Sequence, residues 1–340
     1  MDCKYCYLSK CKREIFMSKD VLDELIFKHL NSQELDYVEF VWHGGEPLLH
    51  EDSFFDYIAK KQKEFNRFGT KIVNKIQTNG LFLTKERFNY LRARDFFVGV
   101  SLDGCKEVHD GARVTTDGEP TFETITGNLD DICDTSIGLV ATLTTLMTGH
   151  ESESYSVFKR YSKNVKLNFY CPTTAIEGAE DSLFLDNDSA TQIMLNFYRL
   201  LKQDTNAIKI QPFTKIINSF VTGRNTMCQY NLKACCNVIA IDPSGVIYPC
   251  GKATGKEMRS LAQISDLCSI TDIFQFNKIN EFIESRTALI KDCCKYASIC
   301  NAGCPQESLN VKGDEFEKTY YCPTRMRLFS EIEKDLRRSD

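Results

Sequence analysis

YVEFVWHGGEP, residues 37–47, sets the architecture of this chain: an apolar run from Tyr37 to Trp42 gives way at once to His43-Gly44-Gly45-Glu46-Pro47. Aromatic and β-branched residues favour a strand, and paired glycines with a following proline end it. The unit recurs. Lys71 to Ile76, Phe96 to Ser101, Ile137 to Thr145 and Val165 to Cys171 are further strand-like runs, with helix-period segments between them. Ser18 is placed to cap a helix that carries Val21, Leu22, Leu25, Ile26 and Leu30 on one face, and Ser53 and Thr84 to open the next two. Five parallel strands with covering helices predict an α/β fold, closed or partly closed into a barrel.

Barrels of this kind carry their chemistry at the C-terminal ends of the strands. The unusual residues fall there: His43 to Pro47 after the first strand, Gln77-Thr78-Asn79-Gly80 after the second, and Ser101-Leu102-Asp103-Gly104 after the third. Taken singly, each loop reads as an ordinary turn. Their repetition at equivalent strand ends favours a shared ligand. Adjacent glycines let a ligand approach the backbone closely. Glu46 and Asp103 can accept hydrogen bonds from an ammonium or ribose hydroxyls, and Asn79 and Ser101 can give or take them. That inventory fits a nucleoside carrying an amino acid.

The cysteines are grouped. Cys294-x5-Cys300-x3-Cys304 is followed after seventeen residues by Cys322; Cys228, Cys235, Cys236 and Cys250 precede this set, Cys293 adjoins it, and Cys3 and Cys6 stand at the other end. Free cysteine packs as a small hydrophobe, and disulfides or closed zinc sites use the same residue. Clustered thiolates at such intervals also suit iron, since each sulfur is a soft anionic donor. Cys105, Cys133, Cys171 and Cys268 read instead as core or surface thiols.

A chain of 340 residues holds ample material for a large domain and a smaller one. The net charge of -5 and the lack of long Lys/Arg runs argue against a nucleic-acid partner. The longest nearly apolar stretch, Ile137 to Met147, is too short to span a bilayer. The N-terminus, MDCKYCYLSKCK, has no apolar core of a secretory leader, and sixteen cysteines fit a reducing compartment. A cytoplasmic protein with no membrane partner is expected.

With these motifs in hand, the sequence resembles the radical S-adenosylmethionine (SAM) enzymes. Within them it is similar to the group with a SPASM extension, which includes peptide maturases and anaerobic sulfatase-maturating enzymes. Cys3-Lys4-Tyr5-Cys6-Tyr7 looks like the end of that family's CxxxCxxC cluster loop, and Gly44-Gly45-Glu46-Pro47 like its motif for the SAM amino group. Gln77 to Gly80 and Ser101 to Gly104 resemble its later strand-end motifs, and His109-Asp110, Arg113, Gly118 and Thr121-Phe122 resemble this subgroup.

The resemblance implies a partial (β/α)6 TIM-like barrel with bridging helices over residues 1–225 and a cysteine-rich SPASM domain over 226–340. It places Tyr5 near adenine, Ser101 and Asp103 near the ribose or methionine end of SAM, Asn79 in the SAM site, and Arg113 near the carboxylate. Glu46 and the backbone of Gly44, Gly45 and Pro47 would hold the ammonium. Cys3 and Cys6 would ligate the SAM-binding [4Fe-4S] cluster. The first cysteine of that motif would fall two places before Met1, and the family's first barrel strand before that. A start at an internal methionine is therefore expected, with Cys11 as an alternative third ligand.

By the same resemblance Cys228, Cys235, Cys250 and Cys304 hold one auxiliary [4Fe-4S] cluster, and Cys294, Cys300 and Cys322 a second. The fourth ligand of the second is expected at Lys291, so either Cys293 is the replacement, the favoured reading, or one iron stays open. The implied reaction is hydrogen abstraction by a 5'-deoxyadenosyl radical from a peptide or protein substrate, leading to a thioether or other crosslink, with an electron donor such as flavodoxin or ferredoxin. Formylglycine formation is the alternative, although Gly251 stands where that group has an aspartate base. A non-catalytic peptide-binding relative is the third reading.

Overall fold

In a computed structural model of the chain, the described residues are 1–6, 8, 15–31, 35–172, 181–254, 260–275, 277–290 and 293–339. Tyr7, Cys11 and Lys291 lie outside them. Helix and strand alternate from the start: α1 (Lys19–Leu30), β1 (Tyr37–Trp42), α2 (Asp52–Phe65), β2 (Lys71–Thr78), α3 (Lys85–Arg92) and β3 (Phe96–Ser101). There follow α4 (Lys106–Ala112), α5 (Phe122–Ile132), β4 (Gly138–Leu143), α6 (Glu151–Tyr161), β5 (Asn164–Phe169), α7 (Asn187–Gln203), β6 (Lys209–Gln211) and α8 (Phe213–Thr222). Beyond α9 (Leu232–Cys236) come three short strands, β7 (Ala240–Ile241), β8 (Val246–Tyr248) and β9 (Ala262–Gln263), then α10 (Asn277–Ala288), α11 (Pro305–Lys312) and α12 (Cys322–Ser339).

Strands β1 to β6 hydrogen-bond in chain order within one sheet. The β1–β2, β4–β5 and β5–β6 ladders are parallel, with Trp42 opposite Ile76 and Leu143 opposite Phe169. The α/β core resembling a partial TIM-like barrel, followed by a cysteine-rich C-terminal region, is as the sequence predicts. Strand β6 is not among the five predicted strands, because its three residues, Lys-Ile-Gln, are too few to show a period.

The local signals act as expected at two of three helix starts. Ser18 Oγ accepts from the Val21 amide at 3.2 Å, and Thr84 Oγ1 from the Arg87 amide at 3.3 Å. Leu22, Ile26 and Leu30 of α1 are buried. Helix α2 begins two residues earlier than a Ser53 cap implies, with Glu51 at its N-cap.

The chain forms two compact units, one of residues 8–99 and 236–280 and the other of residues 1–7, 100–235 and 281–340. In the first, Leu22, Ile26, Phe55, Ile58 and Leu91 are fully buried, and each such side chain contributes about 1.5–3 kcal/mol. The β7–β8 hairpin turns at Asp242 to Gly245. Asp242 Oδ1 accepts from the Ser244 and Val246 amides at 2.9 and 3.1 Å, and Gly245 takes the positive φ of +86° that the turn requires. Ile247, Ile264, Ile270 and Ile273 pack beneath it. In the second unit Phe158 stacks on Phe197 at 6.1 Å, and Phe329 of α12 meets Tyr230 and Tyr296 edge-on. Among the described residues no helix is long and apolar enough to cross a membrane.

Candidate functional site

The loops after β1 and β2 are tied together by one carboxylate. Glu46 Oε1 accepts from the Leu48 amide at 2.9 Å and from Thr78 Oγ1 at 2.6 Å, while Oε2 accepts from the Asn79 amide at 2.7 Å. A carboxylate with three such donors is a fastening, and its capacity for a ligand ammonium is largely taken up. What these loops present outward is the Gly44–Gly45 backbone, exposed and at φ +94° and +47°. Only glycine tolerates that pair of conformations cheaply. Asn79 Oδ1 accepts from the Leu81 amide at 2.9 Å and so shapes its own turn. Pro47 is buried at the start of a short helical turn.

In the other unit the segment holding Cys3 and Cys6 is bonded to the end of α4 by the Asp2 amide to Val114 O at 2.8 Å and the Lys4 amide to Ala112 O at 2.9 Å. This sets Tyr5 and Cys3 beside Asp103 and Arg113. Asp103, 1% exposed, accepts at Oδ2 from Arg113 Nε at 2.8 Å and from the Tyr5 hydroxyl, and at Oδ1 from the Thr142 amide at 2.9 Å. The Arg113 guanidinium lies 5.2 Å from the Tyr5 ring centroid and points Nη1 at Cys3 Sγ, 3.8 Å away. The Tyr5 ring is also 6.1 Å from that of Tyr170. Burial raises the Cys3 thiol pKa, with Arg113 pulling against it, and raises the Tyr5 phenol well above its usual range. A metal would reverse the thiol's preference, because coordination removes its proton.

His109 and Thr121 hold Arg113 from behind. The Asp103 amide donates to His109 Nδ1 at 3.3 Å, so the ring proton sits on Nε2, which meets Thr121 Oγ1 at 3.1 Å. Thr121 in turn donates to Arg113 O at 2.8 Å. Burial pushes the imidazole down to about 4, so it stays neutral. Asp110 Oδ1 accepts from the Thr121 and Phe122 amides at 2.9 and 2.8 Å and fixes the start of α5. The structure thus brings Tyr5, Asp103, Arg113 and Cys3 together, with Ser101 two residues before Asp103 at the end of β3.

Of the C-terminal cysteines, Cys294, Cys300 and Cys322 line one cavity, with Ile290, Met326 and Phe329 on its apolar side and Arg325 on its polar side. Burial pushes the Cys300 thiol up to about 11, with Arg325 opposing. Cys293 is exposed and is not in that lining; it donates to Leu289 O at 3.3 Å and receives Lys318 Nζ at 3.6 Å. Cys304 occupies the N-cap position of α11 without a side-chain cap bond, and Cys304, Cys235 and Cys300 share the electrostatic surroundings of the fully buried Arg286. Cys228, exposed, belongs to this same unit, whereas Cys250 belongs to the other.

Two residues outside the sequence-based set are prominent here. Arg325 and Glu307, 3% and 2% exposed at the side chain, pair at 2.7 Å, and Thr319 Oγ1 also donates to that carboxylate at 2.7 Å. Arg325 lies within electrostatic reach of Cys300 and Cys304. Its Nε and Nη1 make no hydrogen bond among the described residues. Buried donors rarely go unpaired, and beside three convergent thiols the acceptors that fit are the sulfurs of an iron–sulfur centre. No spacing rule marks a buried arginine next to a cysteine cluster, and the pairing partner Glu307 is 18 residues distant.

Residues 1–160 match the radical SAM superfamily. The chain is 26% identical to the cysteine-type anaerobic sulfatase-maturating enzyme of Clostridium perfringens (strain 13 / Type A), over 97% of this chain and 92% of that one. It is 25% identical to the serine-type anaerobic sulfatase-maturating enzyme of Bacteroides thetaiotaomicron, over 97% of this chain and 86% of that one. The structure of native anSMEcpe with bound AdoMet and Cp18Cys peptide shares the fold, with a TM-score of 0.86 at 24% identity, over 100% of this chain and 94% of that one.

Proposed function

We propose that this chain, which belongs to the radical SAM superfamily and carries a SPASM-like C-terminal region, is a maturase that oxidises a cysteine or serine side chain of a protein substrate to the aldehyde of formylglycine. The observation that carries this reading is likeness along nearly the whole chain to both the cysteine-type and the serine-type sulfatase-maturating enzymes. The substrate class follows from theirs, and it takes precedence over the crosslinking reaction expected from sequence.

Cys3 and Cys6 would serve as ligands of the SAM-binding cluster, and Cys294, Cys300 and Cys322, with Cys228, Cys235 and Cys304, as ligands of auxiliary centres. A reduced [4Fe-4S] centre supplies, when bound, the electron that splits SAM into methionine and a 5'-deoxyadenosyl radical. The rest falls to the chain. Arg113, fixed by Asp103 and His109, offers a permanent positive charge to a carboxylate. Tyr5, anchored by its hydroxyl, offers a ring face. Oxidation of serine to the aldehyde removes one hydrogen atom, one further electron and one proton; the cysteine route also consumes water and releases sulfide. Bound SAM would supply the acceptor for the hydrogen atom, and an iron–sulfur centre held by the C-terminal cysteines would supply the sink for the electron. A flavodoxin or ferredoxin would supply the initial reductant.

One residue favours a second reading. Gly251, after Cys250, has no side chain to take the departing proton, which leaves thioether or other crosslink formation open. The two separate on product chemistry. With a peptide containing one cysteine or serine, SAM and a low-potential reductant under anaerobic conditions, formylglycine formation is expected to give a product captured by a hydrazide reagent. A product that retains sulfur, resists alkylation and ignores hydrazide would replace the proposal with the crosslinking reading.

A further inference from the structure

Four side chains of different kinds converge away from the cysteines already described. The ligand atoms of Cys105, Glu107, His150 and Glu153 all lie within 4.8 Å of one another. We propose that they form a site for a divalent transition metal of the zinc type, joining the start of α4 to the start of α6.

The donor set is mixed: one thiol, one imidazole and two carboxylates. Thiolate and imidazole select zinc-like ions over magnesium or calcium. With Zn–S near 2.3 Å and Zn–N near 2.05 Å, tetrahedral binding needs sulfur and nitrogen about 3.6 Å apart; Cys105 Sγ and His150 Nδ1 are 3.6 Å apart. The corresponding nitrogen–oxygen separation is about 3.3 Å, and His150 Nδ1 to Glu153 Oε2 is 3.7 Å, a small side-chain adjustment away.

Acidic residues in a first helical turn need no metal, since the helix dipole favours them there. That accounts for Glu107 and Glu153 but not for the other two. Cys105 and His150 occupy the N-cap positions of α4 and α6, and neither side chain caps its helix. N-caps are ordinarily Ser, Thr, Asp or Asn, whose oxygens satisfy free amides. Here two poor caps turn toward each other instead. The site is framed by a separate bond, the Cys105 amide to Ser154 Oγ at 3.0 Å. Cys105 is buried, whereas the His150 and Glu153 side chains are 39% and 62% exposed, so an ion can enter from the solvent side. Because Cys105 follows Asp103 and Gly104 directly, a bound ion would also steady the loop that carries Asp103.

The test uses the full chain with its iron–sulfur sites loaded anaerobically, then given cobalt(II) and freed of excess. One cobalt per chain with a thiolate-to-cobalt absorption band, displaced by zinc, is expected. Cys105→Ser, nearly isosteric, should abolish the band, and His150→Ala and the exposed Glu153→Gln should each weaken binding by about tenfold or more. Native chain that holds no metal besides iron would overturn the site. Cobalt binding that all three variants retain would overturn it equally, by placing the ion elsewhere.

Discussion

Asp103 shows what one residue reveals in a sequence and what it hides. Its place at a strand end marks it as a site residue, and the structure puts it there, but buried beneath three donors rather than open to a ribose. Its partner Tyr5 is 98 residues away, a pairing no local pattern encodes. His109 beside it gives a testable consequence at the same scale. Its folded pKa of about 4 lies below the ordinary value of 6.5. Below pH 6.5 the unfolded chain takes up a proton that the folded imidazole refuses until about pH 4, so stability falls as pH drops through that window. The full effect is about 3 kcal/mol, at 1.36 kcal/mol per unit. Urea unfolding of native protein and His109→Gln between pH 7 and pH 4 should give a shallower slope for the variant. Parallel slopes would mean that His109 is not the group responsible.

Elements were legible where a period had room to repeat. α1 and the strands from β1 to β5 are long enough for burial to imprint alternation or a 3.6-residue face on the sequence, whereas β6 is not. The turn between Cys300 and α11 was equally hidden, though a single glycine decides it. Gly303 has φ +80°, and a β-carbon there would overlap Arg325 Nη1 and approach Thr319 Cβ to 2.7 Å. Arg325 cannot swing aside without taking from the buried Glu307 carboxylate its positively charged partner. Arg286 also bonds the carbonyls of Ala302 and Gly303, both at 3.1 Å, so the backbone is held in place. Gly303→Ala should therefore cost about 2 kcal/mol or more, read as a lower urea midpoint with an unchanged m-value. A cost below about 0.5 kcal/mol would show that this turn relaxes freely.

At the scale of the molecule the chain interleaves distant segments, and grouping residues 1–7 with 100–235 and 281–340 is not something composition or linkers announce. The cysteine clusters were legible because their spacing is itself the signal; which thiols converge was only partly so. Cys294, Cys300 and Cys322 meet around one cavity, and Cys293, adjacent in sequence to the first of them, faces Lys318 and Leu289 instead. Residues 293–304 form turns rather than a helix, tied to the rest of their unit by bonds such as the Asn301 amide to Tyr230 O at 3.3 Å and the Thr319 amide to Ala302 O at 2.9 Å. A metal centre bound there acts as folding energy, and it gives the idle Arg325 N–H groups their acceptors. Iron-loaded chain should thus melt well above the chelated form. Cys300→Ser should lose about four irons, one [4Fe-4S] centre, and most of that thermal gain, while Cys293→Ala should keep both, as measured by iron analysis and anaerobic thermal unfolding on the same preparations. Loss of iron in Cys293→Ala equal to that in Cys300→Ser would place Cys293 among the ligands and require residues 293–294 to rearrange when the metal binds.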